Sequence, residues 1–236
     1  MAGALSGKVA LVTGGNRGIG FAIAKALAGQ DATVIITGRD AQKLKAAADD
    51  LGRTARAAEC DMRDETSVAQ AFAGIKQEFG KLDILVNNAG IAGPAGKIEN
   101  LNYADWRDVL DTNLTGLFLV TRAALPLLAA GATVVNNISI AAKTVFPGMA
   151  AYNASKYGAL GFTDSLREEV RPRGIRVISL MPGAVDTDIW QQFWLQAPRK
   201  KMMSPESIAQ AVLTAILMPE GTAMQEIAIV PTSGKL

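Results

Sequence analysis

Val9 to Thr13 is a short apolar run rich in β-branched residues, and it empties without a linker into Thr13-Gly14-Gly15-Asn16-Arg17-Gly18-Ile19-Gly20, where an amphipathic stretch begins. A strand that becomes a helix through a glycine-rich turn has few possible settings. Small residues let the backbone approach whatever lies over the turn, and the first N–H groups of the helix, unpartnered within it, point to the same place. That arrangement suits a pyrophosphate at the start of a βαβ unit. Three residues separate Gly14 from Gly18, a departure from G-x-G-x-x-G, so the segment alone also fits a turn that binds nothing.

The rest of the chain repeats the same rhythm. Candidate strands are Val9 to Thr13, Thr33 to Thr37, Arg56 to Cys60, Ile84 to Asn87, Thr133 to Ser139, Arg176 to Leu180 and Ile227 to Val230. Between them lie helical stretches at about Gly18 to Gly29, Ala41 to Leu51, Glu65 to Phe79, Tyr103 to Leu128, Tyr152 to Val170 and Pro205 to Leu217. Short apolar strands alternating with longer amphipathic helices predict an α/β fold, a doubly wound parallel sheet of about seven strands with helices on both faces. No linker, repeat or low-complexity tract interrupts residues 1–236, so a single domain is expected, and 49% hydrophobic residues are enough to cover both faces of a sheet.

Composition narrows the chemistry. The chain has no histidine and one cysteine, which rules out a hydrolase built on a histidine base and a Cys/His zinc site; no metal is expected. Proton chemistry must then use Tyr, Lys, Asp or Glu. Cys60, at the end of a strand, reads as a packed thiol, and such sparse cysteine suits a reducing cytoplasm. The 24 basic and 22 acidic residues leave a net charge of +2, too balanced for nucleic-acid binding without a patch, and only Arg199-Lys200-Lys201 cluster. No apolar run reaches membrane-spanning length, and the opening residues carry no export signal, so no membrane partner is expected.

Tyr152-x-x-x-Lys156 puts a phenol and an ammonium on one helical face. A cation beside a phenol favours phenolate, which predicts a tyrosine pKa below its usual value of about 10. Alone, such a pair occurs often by chance. Here it follows T-G-x-x-x-G-x-G, the run Asn87-Asn88-Ala89-Gly90, Asn113 and Ser139, and precedes Pro182-Gly183-x-x-x-Thr187. In this order, at strand ends and helix starts over nearly the whole chain, these elements resemble the short-chain dehydrogenase/reductases.

The resemblance implies hydride transfer between a nicotinamide cofactor and a carbonyl or secondary alcohol. Tyr152 is then the general acid or base, and Lys156 tunes it and holds the nicotinamide ribose. Ser139 donates to the substrate oxygen, and Asn113 holds a bent helix and a relay water. It places Gly14, Asn16, Arg17, Gly18, Ile19 and Gly20 at the phosphates, Asp61 and Met62 at the adenine, and Asn87, Ala89 and Gly90 beside the cofactor. Pro182, Gly183, Val185 and Thr187 are placed near the nicotinamide. Gly38 stands where members using NAD carry an acid. Arg39 and Arg17 suit a 2′-phosphate, so NADP is expected, although Asp40 lies close by.

A substrate lid is expected at about residues 188–203, carrying Trp190, Phe193 and Trp194, with Ile91, Ala92, Ala141 and Phe146 as further walls. Packing of those aromatics into the core fits the sequence equally. A homodimer or homotetramer through the helices near Tyr103 to Leu128 and Tyr152 to Val170 is implied, with Leu114, Leu117, Phe118, Ala159, Leu160 and Phe162 as candidate contacts. Two other readings stand beside a small carbonyl or alcohol substrate: a 3-oxoacyl-(acyl-carrier-protein) reductase, and a regulatory protein that binds NADP without turnover. The chain ends Ile229-Val230-Pro231-Thr232-Ser233-Gly234, unlike the aspartate and glycines of most carrier-protein reductases, which weighs against the first.

Overall fold

Seven strands pair in parallel: β1 (Val9–Thr13), β2 (Thr33–Gly38), β3 (Ala55–Glu59), β4 (Leu82–Asn87), β5 (Leu128–Asn137), β6 (Arg176–Pro182) and β7 (Glu226–Ile229). The computed structural model describes residues 2–234, and within them the strands form one sheet ordered β3-β2-β1-β4-β5-β6-β7. Strand order reverses between β1 and β4, and a crevice opens there because the flanking crossovers leave in opposite directions.

Successive strand residues face opposite sides, so each inner strand feeds two cores. Ala10, Val12, Val34 and Ile36 pack with Ile23 and Leu27 of α1 (Gly18–Ala28) and Ile208 and Val212 of α7 (Pro205–Ile216), beside α2 (Ala41–Leu51). Val9, Leu11 and Ile35 face the other way, onto Val68 and Phe72 of α3 (Glu65–Phe79), Val120 of α5 (Gly116–Ala124) and Leu166 of α6 (Ala150–Val170). Leu11 and Val12 are both fully buried, and each such side chain contributes roughly 1.5–3 kcal/mol.

The expected helix from Tyr103 to Leu128 is not continuous. α4 (Tyr103–Leu110) passes through a π turn at Asp111–Thr115 before α5, and the stretch ends in a 3-10 turn at Leu125–Leu127, with β5 starting at Leu128. Pro126 lacks an N–H and ends the regular ladder. The π turn is where Asn113 leaves the helix pattern, because its amide serves another segment. β5 therefore starts earlier than its β-branched core suggests, and stops at Asn137 rather than Ser139. The third strand stops at Glu59, before Cys60.

Helix starts differ in one informative way. Asp40, Asp64, Asn102 and Ser204 cap α2, α3, α4 and α7 through their side chains, whereas α1 and α6 have no side-chain cap and no acid in the first turn. Of these two, α1 follows the glycine turn, so its first N–H groups are open to a ligand there.

Candidate active site

A cleft of ≈ 1280 Å³ runs over the C-terminal ends of the strands, from Arg39 and Lys43 at one end to Tyr152 and Trp194 at the other. Its floor is stitched across three strands. Thr13 Oγ1 accepts from the Asn88 and Ala89 backbone N–H groups at 2.9 and 3.0 Å, Asn88 Nδ2 donates to the Thr13 carbonyl at 3.0 Å, and Asn137 Nδ2 donates to Asn88 Oδ1 at 2.9 Å. Asn88 and Asn137 were not among the sequence candidates.

Asn87 faces away from the cleft. It is buried, and its Nδ2 donates to Thr121 Oγ1 at 3.1 Å and to Asn136 Oδ1 at 2.8 Å, tying β4 to α5 and β5 inside the core. Strand alternation explains the split, since neighbours point to opposite faces and only one of two adjacent asparagines can reach the crevice.

At the glycine turn, Gly14 and Gly18 hold φ of +62° and +54°, and a Cβ on Gly14 would come 3.0 Å from the Ala89 Cα. Gly20 does not line the cleft; a Cβ there would collide with the Gly14 carbonyl and the Asn88 amide, so its bareness lets α1 begin where it does. Asn16, Arg17, Gly18 and Ile19 line the opening, and a Cβ on Gly18 would lie 3.2 Å from Thr187 Cγ2. A bare turn, an uncapped helix start and a spacious crevice fit a dinucleotide.

Gly38, Arg39 and Lys43 line the far end. Asp40 lines it too, its Oδ1 accepting from Lys43 N at 3.1 Å as the α2 cap and its Oδ2 lying 3.1 Å from Lys43 Nζ. Asp61 and Met62 also line this end. Arg63 holds Asp61 through Nε at 3.0 Å and Nη2 at 2.7 Å while reaching Asp108 of α4 at 2.6 Å, which keeps the Asp61 carboxyl below the usual carboxylate range. Neither Lys43 nor Arg63 was legible as a site residue, because each is one of 24 basic residues and only the fold brings it here. Burial pushes the Cys60 thiol up to about 11, as expected of a packed cysteine.

Ser139, Tyr152 and Lys156 meet at the other end. Ser139 holds φ 89°, ψ 154°, a backbone region that costs on the order of 1–3 kcal/mol for a residue with a side chain. Its Oγ accepts from Ala141 N at 3.2 Å, and its hydroxyl sits on the Tyr152 side, where it favours the phenolate. Lys156 Nζ donates to the Asn137 carbonyl at 3.3 Å and lies 5.4 Å from the Tyr152 ring centre. One expectation is reversed here. Burial raises the Tyr152 pKa, with only the neighbouring Ser139 hydroxyl opposing it, and burial lowers Lys156 to about 8. A spacing argument sees the neighbouring charge but not the desolvation that disfavours both charged forms.

Asn113 stands behind this group, outside the cleft. Its Oδ1 accepts from Ile91 N at 2.9 Å, and its Nδ2 donates to the Ile91 carbonyl at 2.8 Å and to Ser155 Oγ at 3.0 Å. Gly90 fits between the groups: a Cβ on it would be 3.0 Å from Asn113 Oδ1 and 3.6 Å from Lys156 Nζ. Ala89, Gly90, Pro182, Gly183, Val185 and Thr187 all border the cleft.

A family model for short chain dehydrogenases matches residues 8–197. The chain belongs to the short-chain dehydrogenase family. It is 39% identical over 223 residues to a 3-oxoacyl-(acyl-carrier-protein) reductase of Aquifex aeolicus, covering 89% of this chain and 90% of that protein. A 3beta-hydroxysteroid dehydrogenase of Mediterraneibacter gnavus is 35% identical over 189 residues, 78% of this chain and 68% of the relative. A short chain dehydrogenase of Burkholderia cenocepacia, solved in complex with NADP, superposes with a TM-score of 0.87 at 35% identity, covering 96% of this chain and 97% of that one. The single Rossmann-type domain read from the sequence is the fold of this short-chain dehydrogenase. Among the described residues no helix is long and apolar enough to cross a membrane.

Proposed function

We propose that this short-chain dehydrogenase moves a hydride between NADP(H) and a neutral, mainly apolar carbonyl compound or its secondary alcohol, with Tyr152 as general acid or base. The observation that carries this reading is one cleft joining a bare glycine turn with Arg17, Arg39 and Lys43 to the Ser139–Tyr152–Lys156 group. When bound, the cofactor supplies or accepts the hydride. The uncapped start of α1 would hold its pyrophosphate, Arg39 with Arg17 its 2′-phosphate, Asp61 its adenine, and Lys156 its ribose.

Ser139 donates a hydrogen bond to the substrate oxygen as charge develops there, and Tyr152 delivers its proton to that oxygen. The raised Tyr152 pKa keeps the phenol protonated at neutral pH, the form that reduction of a carbonyl needs. Asn113 fixes the Ile91 segment opposite. Ile91, Ala92, Phe146, Met149, Trp190, Phe193 and Trp194 surround the substrate end and carry no charge, which favours an apolar body over a sugar or a carboxylate; Ala141, expected as a wall, is fully buried and does not line it. Residues 188–203 serve as its cover.

Assay of a panel of ketones, aldehydes and alcohols with both cofactors tests this directly, the expected result being turnover of apolar ketones with NADPH. A 3-oxoacyl-(acyl-carrier-protein) reductase is the second reading, favoured by the likeness to the Aquifex aeolicus relative and by Lys200 and Lys201, exposed on the cover itself. Faster reduction of a carrier-bound 3-oxoacyl thioester than of any free ketone would select it. A non-catalytic role has no use for a strained Ser139 held against Tyr152. The lone buried thiol suits a cytoplasmic protein.

Pairing through α4, α5 and α6 is the proposed route to a homodimer or homotetramer. Tyr103, Phe118 and Tyr157 are exposed there, and Leu114, Leu160 and Phe162 are partly so. Leu117 and Ala159, counted among the contacts from sequence, belong to the interior.

A further inference from the structure

Two consecutive backbone N–H groups, those of Ala92 and Gly93, point at a single side-chain oxygen from across the cleft. Gln192 Oε1 accepts from Ala92 N at 2.9 Å and from Gly93 N at 3.2 Å. Gly93 reaches this arrangement with φ +72°, the change of hand that turns neighbouring amides towards one acceptor. The segment carrying them is fixed from behind, since the buried Asn113 holds both the N–H and the carbonyl of Ile91.

The cover bearing Gln192 is fastened at its root. Trp190 Nε1 donates to the Val185 carbonyl at 2.8 Å, Arg199 binds Asp186 at 2.7 Å, and Met203 N donates to the Ala184 carbonyl at 3.0 Å. Trp190 packs on Phe193 and Trp194, with ring centres 5.2 and 6.0 Å apart. These contacts hold the aromatic group together but do not reach the opposite wall. Gln192 does. A second link across the cleft, Arg17 to Asp188 at 3.7 Å, joins two side chains more than half exposed, and solvent screens it.

We propose that Gln192 is a specificity-determining residue, the clasp that fastens the aromatic cover to the Ala92–Gly93 amides and so limits the size of the carbonyl compound held against Tyr152. The assignment rests on the reaction proposed above. Gln192 acts through the cover rather than on the reacting atoms, so it is a positioning residue. A substrate that fits beneath the closed clasp is held on both sides, whereas a larger one must break two hydrogen bonds to enter.

Gln192→Met, which keeps length but loses the amide oxygen, and Gln192→Glu, which keeps an acceptor, form the test. Tryptophan emission and acrylamide quenching report the cover through Trp190 and Trp194, with Trp106 on α4 as a constant background. Gln192→Met is expected to shift emission to the red and increase quenching, and Gln192→Glu to stay close to the parent. In turnover, Gln192→Met should raise KM for a small ketone about tenfold, the loss expected for two neutral hydrogen bonds, with kcat and NADPH affinity unchanged. Its preference should move towards bulkier ketones. Parent-like quenching and KM in Gln192→Met, or a Gln192→Glu variant that behaves like Gln192→Met, would overturn the proposal. If the parent reduced no ketone, the proposed reaction would fail, and the quenching comparison would still decide the clasp.

Discussion

The two ends of the cleft are made of different material. At the nucleotide end the shape is main chain: a turn of glycines, two of them at positive φ, and a helix start without a cap. The substrate end is made of side chains brought from segments far apart in sequence, Ile91, Phe146, Met149 and Trp190 to Trp194. Backbone-built recognition fails when a single atom is added, and side-chain-built recognition degrades by degrees as groups are removed. Tyr152 and Lys156 stand at the boundary, where the proposed chemistry would draw on both.

The largest expected effect lies at that boundary. Tyr152→Phe removes one oxygen and should lower kcat by about 10²–10⁴-fold, the range for a positioned proton donor. NADPH affinity and melting temperature should stay near those of the parent, and near-normal turnover would show that proton transfer belongs elsewhere.

Gly20→Ala is the sharpest test of the backbone-built end. The added methyl collides with the Gly14 carbonyl, which cannot move without shifting the turn. A stability loss of about 1–3 kcal/mol is expected, together with loss of NADPH binding, read by calorimetry and cofactor titration. If cofactor affinity survived, the contrast between the two ends would be broken.

Lys156→Met separates folding from function. Burial lowers Lys156 from 10.5 to about 8, so between these values the unfolded chain binds more protons than the folded one. The destabilisation is therefore complete below about pH 8 and fades as pH rises towards 10.5. The variant should unfold at higher temperature at pH 7, by up to about 3 kcal/mol at roughly 1.36 kcal/mol per unit, and its advantage should shrink through that window. Its cofactor affinity and turnover should both fall.

Smaller effects come from single contacts at each end. Arg39→Ala should weaken NADPH by about 1.5–3 kcal/mol, the value of a hydrogen bond to a charged group, and leave NADH unchanged. Equal weakening of both cofactors would place the phosphate elsewhere. Trp194→Ala, at a ring 42% exposed, should raise KM for apolar ketones by only about 1 kcal/mol and spare NADPH affinity. A lower melting temperature with unchanged KM would assign that ring to packing.

The same division explains what could be read in the sequence. The nucleotide end is written locally, so Gly14 to Gly20 announce it by their spacing, and the inner strands follow from short apolar runs, while the edge strand β3, Ala55–Glu59, is largely exposed. Asn88 and Asn137 escaped because each resembles its neighbour, and strand alternation alone decides which of Asn87 and Asn88 reaches the cleft. Lys43, Arg63 and Gln192 act across folds of the chain that carry no local mark. The π turn at Asp111–Thr115 was visible only as an asparagine misplaced in a helix, and the shifted acidities of Tyr152 and Lys156 depend on burial that spacing cannot convey.

The backbone of Ser139 has a consequence for durability. Its φ of 89° suits glycine, so Ser139→Gly would relax the chain at this point while removing the hydroxyl that meets Tyr152. On the proposed reaction, durability and turnover therefore ask for different residues at this position: glycine would ease the backbone, and only serine would bring a hydroxyl to the substrate oxygen.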